Sequence, residues 1–301
     1  MKGENTPQIP GTKGFPRIGF AGLGLLGAAT ASRFIDLGIQ VTVWNRSAEK
    51  CAALDAKSAN ICTDLAELSA QSDWIFSCLS DDKAMFDVLA LLLKADHTPQ
   101  IHVSLTTASP GAVAVAAART RAAGAAFLCC PVMGRPDIML GGKAGFLLSG
   151  DKTAAHAVLP VLEWLGSNAY YLGEKPEAAA VMKLVVNCFI ALNIGGLTEA
   201  VAGLERLGIS GESLLQVLAA GPIGSPLIKL FGEKIVARDF DKAMFSLELA
   251  DKDLGYFSDM ISGFGDFALA TAVGAYLNRG ISAGHGNRDW AGLAAHLLEA
   301  H

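Results

Sequence analysis

Apolar residues follow two different rhythms along the chain. Through the first half they come in short unbroken runs, at residues 18–21, 41–44, 74–79, 101–103, 126–129, 145–149 and 169–172. Helical patterns separate these runs, as at residues 82–94, 112–123 and 153–165. Strand-like runs alternating with helices predict an α/β fold with a doubly wound parallel sheet. From Pro176 onward the strand rhythm stops. Residues 176–207 read as one long apolar helix, opened by a proline near its first turn and stopped by Gly208. Shorter helical patterns follow at residues 211–219, 227–237, 247–262, 268–279 and 289–300, and the GPIGSP stretch at 221–226 breaks two of them. The expected organisation is a disordered tail over residues 1–15, an α/β domain over 16–175 and an all-α domain over 176–301.

The first helix opens on glycines. Gly22, Gly24 and Gly27 stand at G-x-G-x-x-G spacing between the run at 18–21 and the helix that follows, and a second run ends at Trp44. In a βαβ unit the first glycine allows a tight turn and the second lets the backbone approach a pyrophosphate. The third lets helix and strand pack closely. The phosphates would rest on the helix N-terminus, lined by Gly22, Leu23, Gly24, Leu25, Leu26 and Gly27. This is the dinucleotide-binding pattern of a Rossmann domain. Asp or Glu at the end of the second strand would hydrogen-bond the ribose 2′-OH of NAD, but the residues here are Asn45, Arg46 and Ser47. A guanidinium can bind a 2′-phosphate bidentately, so the expected cofactor is NADPH (NADP+); a solvated loop charge is the plainer reading of Arg46.

Composition narrows the function classes. With 51% hydrophobic and 18% charged residues in 301, the chain can fill two cores. A net charge of −5 without a basic run argues against nucleic acid or an anionic membrane as partner. The six cysteines form no C-x-x-C pair and suit a reducing cytosol, and the six histidines form no metal-ligand pattern, so no metal is expected. The most apolar stretch, residues 184–198, is shorter than the roughly 20 residues that span a bilayer and contains Asn187 and Asn193. A cytoplasmic, soluble protein is expected.

Four polar groupings could carry chemistry. Lys183 and Asn187 lie about 40° apart and about 6 Å along the long helix, so they share a face. A lysine on so apolar a helix must snorkel, pair or line a cavity, and beside a nicotinamide it could act as a general acid. Lys252 and Asp253 form a second pair, also readable as a solvated face. The loop Ser104, Leu105, Thr106, Thr107, Ala108, Ser109 follows a strand, where open α/β sheets bind ligands, and doubles as a helix cap. The fourth is CPVMGRP, residues 130–136.

In this order the motifs resemble the β-hydroxyacid dehydrogenase superfamily, which includes 3-hydroxyisobutyrate dehydrogenases, glyoxylate/succinic semialdehyde reductases and imine reductases. The resemblance runs from about Arg17 to the C-terminus. It implies Lys183 as proton donor, Asn187 positioning it and the substrate, and Thr106 or Thr107 bonding substrate. Leu79, Ser80, Thr106 and Lys252 would join the cofactor site, and Met133, Gly134 and Arg135 would form the substrate loop. The family's Pro-Val-Ser-Gly-Gly is Pro131, Val132, Met133, Gly134, Arg135 here, and its Asp-x-Ser-Thr begins with Ser104. The resemblance further implies a homodimer with each active site in an interdomain cleft. The leading expectation is NADPH-dependent reduction of a small aldehyde or keto acid. Reduction of an imine is the alternative, and a catalytically silent NADP-binding scaffold is a third reading that retention of Lys183 disfavours.

Overall fold

The computed structural model describes residues 15–95 and 97–299. The expected tail lies outside them except for Phe15, whose ring sits 5.9 Å from that of Trp164. The chain divides into two compact units, residues 1–183 and 184–301.

In the first unit β1 (Ile18–Ala21), α1 (Leu25–Asp36), β2 (Val41–Trp44), α2 (Ala52–Asp55), β3 (Asn60–Ile61), α3 (Leu65–Ala70), β4 (Trp74–Ser77) and α4 (Asp82–Leu92) alternate along the chain. They are followed by β5 (Ile101–Ser104), α5 (Pro110–Ala122), β6 (Ala126–Cys129), β7 (Val132–Met133), α6 (Pro136–Leu140), β8 (Gly145–Gly150), α7 (Lys152–Leu165) and β9 (Asn168–Tyr171). The sheet order is β3-β2-β1-β4-β5-β6-β8-β7, with β9 paired to β8. Strands β1 to β6 are all parallel, and the central residues of β1, β2, β4, β5 and β6 are buried because helices cover both faces, whereas the two residues of the edge strand β3 are exposed. Phe20, Phe34 and Phe76 fill the space between α1 and the sheet.

The doubly wound parallel sheet expected from the sequence is present, and at its far edge it gains an antiparallel strand. Strand β8 runs antiparallel to both β6 and β7. A parallel entry would need a crossover helix on the sheet face, and α6, with five residues, is too short to make one. The two-residue strands β3 and β7 were not expected from the apolar rhythm, being too short to carry one.

The described residues of the second unit have no strand. Helix α8 (Ala178–Arg206) begins in the first unit and is the spine of the second, followed by α9 (Gly211–Ala220), α10 (Pro226–Ala237), α11 (Leu247–Ile261) and α12 (Ala268–Gly280). Its 29 residues exceed the apolar stretch read from sequence, and by length and composition alone it could cross a membrane. Leu184, Ala191, Ile194, Leu197 and Val201 instead pack into the helical core with Phe231, Ile235 and Trp290.

The expected helix over 289–300 is also corrected. It consists of two short 3₁₀ turns, Trp290–Gly292 and Ala295–Leu297. Asp289, fully buried, accepts hydrogen bonds from the Met244 and Ala291 N–H groups. Trp290 then lodges edge-on against Phe231 and Phe245. Holding the segment at these points stretches it over the core and prevents continuous coiling.

Candidate active site

The glycine turn is built as a cradle. Gly22 adopts φ +97, open to glycine at little cost, and any Cβ there would strike the Cys78 carbonyl oxygen of the neighbouring loop. A Cβ on Gly27 would strike the Gly22 carbonyl oxygen, so only glycine lets α1 approach the turn this closely. Gly24 is different: a Cβ there would meet nothing within 4 Å. Its role is to leave room above the first turn of α1, whose N-cap it is and which has no side-chain cap. Unbonded first-turn N–H groups, a positive dipole end and open space together fit a pyrophosphate. Leu25 stands 75% exposed on that first turn.

The neighbouring loops are tied to this turn. Asn45 Oδ1 accepts the Leu23 N–H at 2.8 Å, and its Nδ2 donates to the Ser47 carbonyl at 2.8 Å. Asn45 therefore clamps the glycine turn to the end of β2, while Arg46 beside it is exposed and Ser47 half-buried. Leu79 reaches the space beside Gly22, and its N–H donates to Thr106 Oγ1 at 3.0 Å. The buried Thr106 thereby joins the loops after β4 and β5. Ser80 donates to Asp81. Thr107 is half-buried in the same loop, and Ser109 caps α5 while its own N–H and hydroxyl both donate to Asp82. These loops all leave the carboxyl ends of parallel strands. Strands β1 and β4 are neighbours there, and the chain proceeds from them to opposite sides, which makes this the topological switch point of the sheet.

Lys183 is placed by the start of α8. Buried Ser149, near the end of β8, donates to the Pro176 carbonyl at 2.6 Å and accepts the Ala179 N–H at 3.0 Å. Ala179 and Ala180 are buried among Met85, Leu89, Phe127 and Leu147. With the helix start pinned in this way, the half-buried Lys183 brings its Nζ to 3.8 Å from Met133 Sδ. Gly134 is exposed, and Arg135 donates through Nε and Nη2 to Asp137, whose carboxyl is held below the usual range by that guanidinium. Ser104 is buried with its hydroxyl directed to Met85 Sδ.

The second unit brings two of the sequence motifs together. Asn187, 3% exposed, donates from Nδ2 to Asp253 Oδ2 at 2.6 Å. Lys252 Nζ lies 3.2 Å from Asp253 Oδ1 and 5.4 Å from the Tyr256 ring centroid. Sequence reading treated Lys183/Asn187 and Lys252/Asp253 as separate pairs and missed the Asn187–Asp253 bond. It also missed Ser149 and Asp82, for which no fixed spacing gives a signal. Among the described residues no group of three or more His, Cys, Asp or Glu converges on a metal position, and none of the six cysteines forms a disulfide.

Comparison with known proteins follows the same two-unit division. Residues 17–173 match the family described as the NAD binding domain of 6-phosphogluconate dehydrogenase, and residues 178–297 match the NAD-binding family of NADP-dependent 3-hydroxyisobutyrate dehydrogenase. Glyoxylate/succinic semialdehyde reductase 2 of Arabidopsis thaliana is 29% identical over 254 residues, covering 83% of this chain and 70% of its own. The fold matches Mycobacterium tuberculosis 3-hydroxyisobutyrate dehydrogenase with L-serine at TM-score 0.86 and 21% identity, covering 95% of this chain and all of the other. A reductive aminase from Aspergillus terreus in complex with NADPH and ethyl levulinate matches at TM-score 0.62 and 24% identity, covering 93% and 99%. A glycine cradle fitted to a dinucleotide and family matches over both units agree: the chain belongs to the β-hydroxyacid dehydrogenase superfamily of NAD(P)-dependent oxidoreductases.

Proposed function

We propose that the protein is an NADPH-dependent reductase of a small aldehyde or keto acid, with Lys183 as proton donor. The observation that carries the reading is Lys183 itself: a half-buried ammonium on a helix start that Ser149 anchors to the dinucleotide-binding unit. A reduced nicotinamide, when bound, supplies hydride to the carbonyl carbon. The carbonyl π pair then moves to oxygen, and Lys183 Nζ gives that oxygen its proton before regaining one from solvent. The cradle of Gly22 to Gly27 would hold the pyrophosphate, and Arg46 would take the 2′-phosphate. Thr106 and Thr107 supply hydroxyls at the same end of the sheet. Asn187, held by Asp253, helps to orient the reacting groups. Assembly as a homodimer is part of this reading.

Replacement of the lysine tests the reading. Lys183→Ala should lower kcat by roughly 10²- to 10⁴-fold, the range for a lost general acid, with NADPH affinity nearly intact. Lys183→Arg keeps the charge but cannot release a proton at neutral pH, so it should rescue little. An Arg variant with most of the wild-type rate would defeat proton donation by Lys183. Imine reduction is the second reading, favoured by the thioether of Met133 beside the amine. Turnover of a cyclic imine but of none of glyoxylate, succinic semialdehyde and the uncharged aldehyde pentanal would establish it over the first.

A further inference from the structure

Beside Lys183 stands a side chain of defined chemistry. Met133 closes β7, and its sulfur lies 3.8 Å from Lys183 Nζ. The side chain is backed by Met85, Leu89, Phe127, Leu147, Ala179 and Ala180, so the surface it offers is continuous with a packed apolar cluster. A thioether donates no hydrogen bond and accepts only weakly. A carboxylate pressed against it would lose water and gain no hydrogen bond from the thioether, and the Lys183 ammonium beside it is, on the proposed reading, engaged with the carbonyl oxygen.

The guanidinium two residues along the same loop is not directed at this position. Arg135 Nε and Nη2 donate to the two Asp137 oxygens at 3.1 and 2.9 Å. That fork is directed at the first turn of its own helix, and the Asp137 charge opposes a second anion there. Ser104, another polar group at this end of the sheet, directs its hydroxyl to Met85.

We infer that the carbonyl reduced beside Lys183 carries an uncharged, apolar substituent on the Met133 side. The substrate class is therefore an aliphatic or aromatic aldehyde or ketone, and Met133 is the residue that discriminates against a carboxylate at that position. This rests on the reading of Lys183 as proton donor. Methionine suits the role because its unbranched, polarisable side chain adapts to apolar groups of different shape.

The test compares pentanal with succinic semialdehyde, two aldehydes of similar reach that differ in the terminal charge. With NADPH, the wild-type enzyme should favour pentanal in kcat/KM by at least about tenfold, mostly through KM. Met133→Ser, which places a hydroxyl at that position, should move that ratio at least about tenfold toward succinic semialdehyde, whereas Met133→Leu should hold it within about threefold. A wild-type preference for succinic semialdehyde, or a ratio unmoved by Met133→Ser, overturns the inference. A binding titration separates this from failure of the underlying reading. Pentanamide and succinate are titrated calorimetrically into NADP+-loaded protein, which requires no turnover. Binding of pentanamide with little binding of succinate supports the discrimination by Met133 even if neither aldehyde is reduced, and succinate binding as tightly as pentanamide refutes it. Full activity of Lys183→Ala would strike the proton-donor reading alone.

Discussion

Arg46 is exposed directly after Asn45, the residue that clamps the end of β2 to the glycine turn. On the proposed reading the clamp would give the guanidinium a fixed base from which to meet a 2′-phosphate. Charge-assisted contacts of this kind contribute about 1.5 to 3 kcal/mol. Arg46→Ala should therefore raise the NADPH dissociation constant roughly 10- to 150-fold and leave that of NADH nearly unchanged, as measured by fluorescence titration. His102 is a residue of the opposite kind, buried in β5 with Nε2 bonded to Ser77 Oγ at 2.8 Å. Burial pulls its pKa down to about 4, below the unfolded value near 6.5. The unfolded chain thus binds the extra proton first as pH falls. Stability from this group is complete above about pH 6.5 and is lost progressively down to about pH 4, on the order of 3 kcal/mol in all. Urea midpoints should fall over that window, and less steeply in His102→Gln; an identical slope in the variant would show that other groups carry the acid sensitivity.

Between elements, the Asn187–Asp253 bond pins α8 to α11 inside the helical unit. Asp253→Leu would leave the Asn187 amide buried without an acceptor and Lys252 without its ion pair, at a cost of about 2 to 4 kcal/mol. Asp253→Asn keeps an acceptor for Asn187 and should lose less. Equal urea midpoints for wild type and Asp253→Leu would contradict a structural role for the bond. This pairing also marks how far the sequence could be read. The G-x-G-x-x-G turn was legible because each glycine answers a local backbone demand, and Gly22 and Gly27 do meet atoms that exclude a Cβ. Continuous apolar runs likewise announced β1, β2 and β4 through their burial. Asp253 finds Asn187 across 66 residues, and no local rule specifies such a partner. The reversal at β8 depended on the length of a connection, and the open stretch from Trp290 depended on Asp289 bonding to Met244. Both are tertiary facts that override a local pattern.

At the scale of the molecule, α8 shows why an apolar helix is ambiguous in sequence. The same composition suits a core, a bilayer or a subunit interface, and only packing separates them. In the helical unit one face of α8 is buried with Leu184, Ile194 and Val201, while Phe189 remains 63% exposed. Val217, Ile223, Phe264 and Leu269 are between 64% and 80% exposed in the same unit. Large apolar side chains exposed in this number fit the proposed homodimer, in which a two-fold symmetric pair of identical chains would cover the same residues on both copies. Light scattering after gel filtration should therefore report twice the chain mass of 31.3 kDa. Phe264→Glu combined with Val217→Glu should shift the population toward the single chain, because burying two carboxylates per copy without partners opposes association. The circular dichroism spectrum should not change, since both positions are exposed within the unit. A wild-type protein that stays at the single-chain mass at micromolar concentration would rule out the dimer, and a charged variant that still elutes at twice that mass would place the interface on another face.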